Sequence, residues 1–253
     1  MIAKKALGQN FLTDPKITQL MVESINVASG DQIMEIGSGT GAVTQHLAPI
    51  CKSQNAYLTA IEFDIDLIPI LKSKIAEDEN VKIVNANILN FLDDYKISQN
   101  ARLKIIGSLP YNITSPLIHR LTKNHPMPET CVLLIQKEVA QKIAETAPRS
   151  NYLSVFVQAF YTASILKIVD KNLFFPVPKV DGAVIKLTRK PTDMFSHDIS
   201  RYEKFLHYVF SHPRKMLNKV FSKAELERYH LDSTKRPQDY GSIKYLEIFK
   251  IRV

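Results

Sequence analysis

The stretch Gly107-Ser108-Leu109-Pro110-Tyr111-Asn112 puts a small polar side chain, a proline-stiffened backbone and an aromatic ring after an apolar run, Leu103-Lys104-Ile105-Ile106, that reads as a buried strand. A flat base bearing an amine suits such a loop. The ring can stack on the base, worth about 1–3 kcal/mol, while the Ser108 oxygen and the Leu109 carbonyl accept the amine hydrogens. A proline turn beside a core tyrosine would use the same residues without chemistry. A second group, Gly37-Ser38-Gly39-Thr40-Gly41, turns the strand-like Gln32-Ile33-Met34-Glu35-Ile36 into a helix from about Ala42. Close backbone approach and free N–H groups at a helix start suit a carboxylate or phosphate. Gly37, Gly39 and Ala42 fit G-x-G-x-x-G/A, a pattern that does not separate nicotinamide dinucleotides from S-adenosylmethionine (SAM). Glu62, after the next apolar run, is the expected acceptor of a ribose diol in either case, and Asn87, after the third, offers an amide to an adenine edge. The loop after the fourth run favours a nucleobase substrate, because hydride transfer has no use for it.

These residues must be carried by an alternation of strands and helices. Apolar runs at 32–36, 57–61, 81–84, 103–106 and 131–135 alternate with helical patterns, which argues for a parallel sheet covered on both faces. Ahead of it, Thr13 or Asp14 followed by Pro15 starts a helix whose Ile17, Leu20, Met21 and Ile25 share one face. Residues 137–146 and 152–160 read as helices, and 165–169 and 184–187 as strands closing the sheet, plausible antiparallel edges. The run Asn172 to Val180 is too rich in proline for either state. Pro191 to about Ser200 reads as a linker. Beyond it, Phe205, Leu206, Val209 and Phe210 form one apolar stripe and Met216, Leu217, Val220 and Phe221 another. Lys215, Lys219 and Lys223 then fall on a separate face of that second helix, next to Arg214. Ser222 and Glu225 have capping-box spacing for a third.

With 253 residues, 45% hydrophobic and 23% charged, the chain has the composition of a soluble protein with one large and one small domain. No apolar run reaches the roughly 20 residues that span a bilayer, and no signal-peptide core is visible, so a cytoplasmic protein is expected. Cys51 and Cys131 lack metal-ligand spacing and read as buried apolar fillers. The net charge of +8 points to a polyanionic partner, and residues 191–253, with 12 Lys/Arg against 8 Asp/Glu, hold half of it.

Five stretches in order, Gly8-Gln9-Asn10-Phe11-Leu12, Glu35-Ile36-Gly37-Ser38-Gly39-Thr40-Gly41, Leu109-Pro110-Tyr111-Asn112-Ile113, Gln136-Lys137-Glu138-Val139-Ala140 and Phe175-Pro176-Val177-Pro178-Lys179-Val180-Asp181, resemble the motifs of rRNA adenine N6,N6-dimethyltransferases over almost the whole chain. The resemblance implies an α/β fold: a Rossmann-like class I SAM-dependent methyltransferase sheet over residues 1–190, opened by a basic segment and helix over 1–28, and a small all-α RNA-binding domain over 191–253. It implies dimethylation of two adjacent adenosines in a hairpin near the 3′ end of 16S rRNA, within an assembling 30S particle, by a monomer using no metal. SAM is then expected against Asn10, Leu12, Gly37, Glu62, Asn87 and Ser108. Ser108, Leu109, Tyr111 and Phe174 would form the catalytic set, with Phe175 as the alternative second ring. Arg214, Lys215, Lys219 and Lys223 would contact RNA. The family usually has Asp at position 87, Asn at 108 and an Arg-Arg-Lys run where this chain has Pro213-Arg214-Lys215. Two alternatives stay open: the related enzyme that dimethylates 23S rRNA in macrolide resistance, and a nonenzymatic RNA-binding assembly factor that keeps the fold. Gln136 to Ala140, the Phe-Pro-x-Pro-Lys-Val-Asp run and the basic C-terminus favour the small-subunit enzyme.

Overall fold

The computed structural model describes residues 4, 7–75, 78–95, 102–110, 113–123, 127–191 and 196–252, with backbone alone at 196 and 197. Among the described residues nine strands occur: β1 (Phe11–Leu12), β2 (Gln32–Ile36), β3 (Tyr57–Glu62), β4 (Val81–Asn85), β5 (Leu103–Ser108), β6 (Thr130–Gln136), β7 (Tyr161–Val169), β8 (Phe174–Phe175) and β9 (Gly182–Arg189). Seven form one sheet in the order β4-β3-β2-β5-β6-β9-β7. The first five are parallel, and β9 joins β6 antiparallel. The connecting helices are α1 (Pro15–Ile25), α2 (Thr44–Ser53), α3 (Ile68–Ser73), α4 (Ile88–Asp94), α5 (Thr114–Lys123) and α6 (Lys137–Ala144). Strand order reverses beside β2, and open parallel sheets bind ligands at the carboxyl ends of strands flanking such a point.

Register brings those ends level. Ile36 lies beside Ile61 on one flank and Gly107 on the other, Glu62 lies beside Asn85, and Ser108 beside Leu134. Gly107 is where the strands come closest: a Cβ there would lie 2.3 Å from the Ile36 carbonyl oxygen. Helix α1 starts as the Asp14-Pro15 pair predicts, with the Asp14 side chain accepting the Lys16 N–H and proline at the first turn. Its buried face of Ile17, Met21, Val22 and Ile25 packs in a core with Leu47 and Cys51 of α2, Val132 and Leu134 of β6, and Phe174. At the opposite ends of the strands, fully buried Asp31 is paired with Lys104 at 2.7 Å and Arg102 at 3.1 Å and accepts the Ala28 N–H. With cations on both its oxygens, a carboxylate that would otherwise be costly to bury ties β2 to β5.

The proline-rich run contains β8, which pairs antiparallel with β1, Phe11 opposite Phe175 and Leu12 opposite Phe174. Its two extended residues precede Pro176, so they can complete a pair before the prolines stop it.

Contacts divide the chain into two units, Met1–Ala140 with Ser164–Arg189, and Gln141–Ala163 with Lys190–Val253. The second unit therefore takes in a stretch that a boundary at 190/191 leaves outside it. It contains α7 (Tyr152–Phe160), capped reciprocally by Asn151 and Ser154, α8 (Ser196–Phe210), α9 (Lys223–Arg228) and α10 (Ser242–Arg252). Its core is aromatic, with buried Phe156, Phe160, Tyr202, Phe205, Tyr245 and Phe249 meeting largely edge to face. α8 begins inside the expected linker. The predicted capping box at Ser222 and Glu225 is present and starts α9.

The expected second helix, with Met216, Leu217, Val220 and Phe221 on one face and Lys215, Lys219 and Lys223 on another, is absent. Only a 3-10 turn, Leu217–Lys219, forms, because the Leu217 and Asn218 N–H groups donate to the carbonyls of Lys235 and Ser233. Extended Ser222 then ends the segment. Arg214, Lys215, Lys219 and Lys223 are all exposed, but they do not form a stripe on one helix. Met216, expected on an apolar face, is 44% exposed.

Candidate functional site

A cleft of about 380 Å³ opens at the carboxyl ends of β2, β3, β4 and β5. Its floor is the glycine turn. Gly37, Gly39 and Gly41 have φ of +69°, +55° and +83°, left-handed values that side chains other than glycine rarely accept. A Cβ on Gly37 would also press to 3.0 Å on the Ser108 carbonyl oxygen, so the turn and the β5 loop touch backbone to backbone. Four of the turn's five N–H groups are already taken within the protein. Those of Gly37 and Ser38 donate to the Ile61 carbonyl, that of Gly41 to the Ser38 carbonyl, and that of Gly39 to Glu62 Oε2 at 2.7 Å.

Glu62 is 7% exposed and held from both sides, since its Oε1 accepts the Asp64 N–H at 2.7 Å. Glu35 lies in the same wall, fully buried, with its Oε2 unpartnered. Burial pushes its carboxyl up to about 7; hydrogen bonding from Thr44 opposes the shift and the neighbouring Glu62 charge adds to it. Among the described residues these two glutamates are the only charged side chains lining the cleft. A pyrophosphate would meet a carboxylate where it needs N–H donors. SAM, whose sulfonium and ammonium outweigh its one carboxylate, meets complementary charge at Glu62, so the lining fits SAM better than a dinucleotide.

The elevated Glu35 carboxyl gives a stability test. Folded near 7 and unfolded near 4.5, it keeps a proton in the native state that the unfolded chain releases, so its contribution to stability falls as pH rises through that window. The stability of Glu35→Gln relative to the natural protein should rise by about 3 kcal/mol from pH 4.5 to pH 8. Urea unfolding at both pH values measures it; a difference that does not change with pH refutes the assignment.

Most residues expected from the sequence meet at this cleft. Asn10, Leu12, Gly37, Glu62, Asn87, Ser108, Leu109 and Phe174 all line it. Asn87 has a structural task as well: it caps α4, its Oδ1 accepting the Leu89 N–H at 2.9 Å, which leaves one lone pair for a ligand. Asp performs the same capping, so the exchange preserves the local geometry. Phe174 is buried against Gly182, and Phe175, across the strand, is 58% exposed. Tyr111 lies outside the described residues. The segment Leu7 to Leu12 forms one wall, with the Phe11 ring over Gly39.

Phe63, Ile88 and Glu35 also line the cleft and were not singled out as ligand residues. Phe63 could have been found as the apolar residue directly after Glu62. Glu35 entered the sequence reading only as part of the 32–36 strand and as the first residue of the Glu35-to-Gly41 motif.

A family model described as ribosomal RNA adenine dimethylase matches residues 2–249. The chain belongs to the ribosomal RNA adenine dimethylase family. Among relatives, ribosomal RNA small subunit methyltransferase A of Sulfurihydrogenibium sp. (strain YO3AOP1) is 32% identical over 250 residues, 98% of this chain and 95% of the relative. The protein of the same name from Marinobacter nauticus is 33% identical over 253 residues, 97% of this chain and 90% of the relative. Of solved structures, the 23S rRNA methyltransferase ErmE superposes with a TM-score of 0.75 at 25% identity, covering 95% of this chain and 98% of that one. A dimethyladenosine transferase from Plasmodium falciparum shares the fold, with a TM-score of 0.80 at 22% identity over 94% and 95%.

Proposed function

We propose that this chain transfers methyl groups from SAM to N6 of two adjacent adenosines in a hairpin near the 3′ end of small-subunit rRNA, acting on an assembling 30S particle. The observation that carries this reading is a cleft whose ionisable lining, among the described residues, is Glu35 and Glu62, and which opens against the Ser108-Leu109-Pro110 loop. SAM, when bound, supplies a methyl group already activated by its sulfonium. Asn10, Leu12, Gly37, Glu62, Asn87 and Ser108 would hold it, Glu62 through the ribose hydroxyls.

The exocyclic amine of adenine is a poor nucleophile because its lone pair is shared with the ring. Ser108 Oγ and the Leu109 carbonyl accept its N–H hydrogens and so favour a pyramidal nitrogen with the lone pair turned to the cleft. Positioning of this kind contributes roughly 7–11 kcal/mol in favourable cases. Phe174, with Tyr111, would flank the target base once it leaves the stack. The second unit supplies charge for the RNA backbone: residues 141–163 and 190–253 carry 15 Lys/Arg against 9 Asp/Glu, net +6 of the chain's +8. Arg214, Lys215, Lys219 and Lys223 are its exposed candidates for phosphate contacts.

Incubation with labelled SAM and either 30S particles or 50S precursors, followed by mapping of methylated adenosines, tests the proposal. Label in 16S rRNA is expected. Label in 23S rRNA alone would assign the chain to the large-subunit enzymes, and no label despite SAM binding would make it an assembly factor. In the same assay Ser108→Ala should lower kcat about tenfold, the loss of one acceptor to the amine, and Ser108→Asn should retain activity. Equal rates for Ser108→Ala and the natural protein would remove Ser108 from the reaction.

A further inference from the structure

Asp64 does not line the cleft, yet it joins two of its walls. Its side chain is 3% exposed. Oδ2 accepts the Gln9 Nε2–H at 2.7 Å, and Oδ1 pairs with Lys4 Nζ at 2.5 Å. The other end of the Gln9 amide is held as well, Oε1 accepting the Lys4 backbone N–H at 2.7 Å. On the β3 side, the Asp64 N–H is one of the two donors that orient Glu62. The residues that follow Gln9 are fixed at their far end by β1–β8 pairing and by the Thr13 N–H donating to the Leu173 carbonyl. Asn10 and Phe11 therefore lie between two anchors, and Asp64 is the nearer to Glu62.

We propose that Asp64 is a positioning residue for cofactor binding, locking the Gln9–Leu12 wall to the Glu62 carboxylate through its clasp on Gln9 and Lys4. The inference rests on the SAM reading above. Asp64 also caps the turn Ile65–Leu67 by accepting the Asp66 N–H, a purely local task that Asn performs equally well. Asp64→Asn thus keeps the cap and removes the buried one of the two carboxylates that hold Lys4, leaving only the exposed Asp66 at 2.6 Å from Nζ. Burial pushes the Asp64 carboxyl up, but the hydrogen bonds from Lys4, Gln9 and the Asp66 N–H together outweigh it and hold the group below its ordinary range, which agrees with a clasp formed across neutral pH.

Equilibrium binding of SAM and steady-state kinetics on the full chain test the proposal. Asp64→Asn and Lys4→Met should each raise the Kd and KM for SAM about tenfold with kcat within about twofold. The double variant should be no worse than either single, and Lys4→Arg should restore tight binding. Thermal melts taken alongside separate this from unfolding; Lys4 is 42% exposed, so its replacement leaves the core intact. Singles whose Kd stays within twofold of the natural value, or a double in which the two losses simply add, overturn the clasp. A natural protein that binds no SAM overturns the cofactor reading and the clasp with it.

Discussion

Glu62→Gln should weaken SAM binding by about a hundredfold or more while leaving the chain folded. Each Glu62 oxygen takes one backbone N–H at 2.7 Å, from Gly39 and from Asp64, so the carboxylate is oriented before any ligand arrives. Its remaining lone pairs are what a ribose diol would use. Replacing one oxygen by an NH2 group sets donor against donor at Gly39 or Asp64, forfeits a charge-assisted bond of about 1.5–3 kcal/mol, and removes the negative charge of Glu62 from a cleft whose other carboxyl, Glu35, is held up near 7. Losing one such bond together with the attraction for a cationic ligand accounts for two orders of magnitude. Titration calorimetry with SAM measures it, with a thermal melt as the control for folding. Affinity within threefold of the natural protein would sink the role assigned to Glu62.

Gly107→Ala should cost more than 4 kcal/mol and deprive the cell of soluble protein, an effect reserved for substitutions that break backbone packing. The Cβ would lie 2.3 Å from the Ile36 carbonyl oxygen and 3.1 Å from its carbon, and no rotamer can relieve a clash at Cβ. Relief requires β2 and β5 to separate at the Ile36–Gly107 pair, which lies directly beneath the contact of Gly37 with Ser108. Whatever fraction folds should therefore have lost the cleft. Gly241→Ala, where the added carbon meets nothing within 4 Å, is the matched control and should fall within about 0.5 kcal/mol of the natural protein. Urea unfolding and soluble yield read both. A Gly107→Ala protein as stable as the control would mean that the strands are not paired as described.

The two predictions concern one place from two directions. Gly107 lets the central strands come close enough for the glycine turn to meet the β5 loop, and Glu62 spends the turn's Gly39 N–H on a carboxylate. The same fold with that N–H left free and a cation nearby would suit a nucleotide phosphate.

What the sequence determined by itself was local. Apolar runs of strand length alternating with helical patterns gave away the parallel sheet, because side-chain periodicity is imposed within a few residues. Asp14-Pro15 and Ser222 with Glu225 marked helix starts for the same reason, their bonds spanning two or three residues. Glu62, Asn87 and Ser108 could be placed at or just after strand ends from the sequence, and all three line the cleft. Only the tertiary structure decided where the backbone donors went. A Gly-Ser-Gly-Thr-Gly turn looks like a set of free N–H groups until Ile61 and Glu62, more than twenty residues on, take those of Gly37, Ser38 and Gly39. The 214–221 segment has helical spacing, but carbonyls at 233 and 235 compete for its N–H groups and win, since a short segment ending at an extended Ser222 cannot offer as many bonds of its own. The pairing of β1 with β8 and the hold of Asp64 on Gln9 join residues that are about 160 and 55 positions apart. Spacing along the chain carries no trace of such contacts, because their cost in loop entropy is met by the whole fold around them and not by the residues that touch.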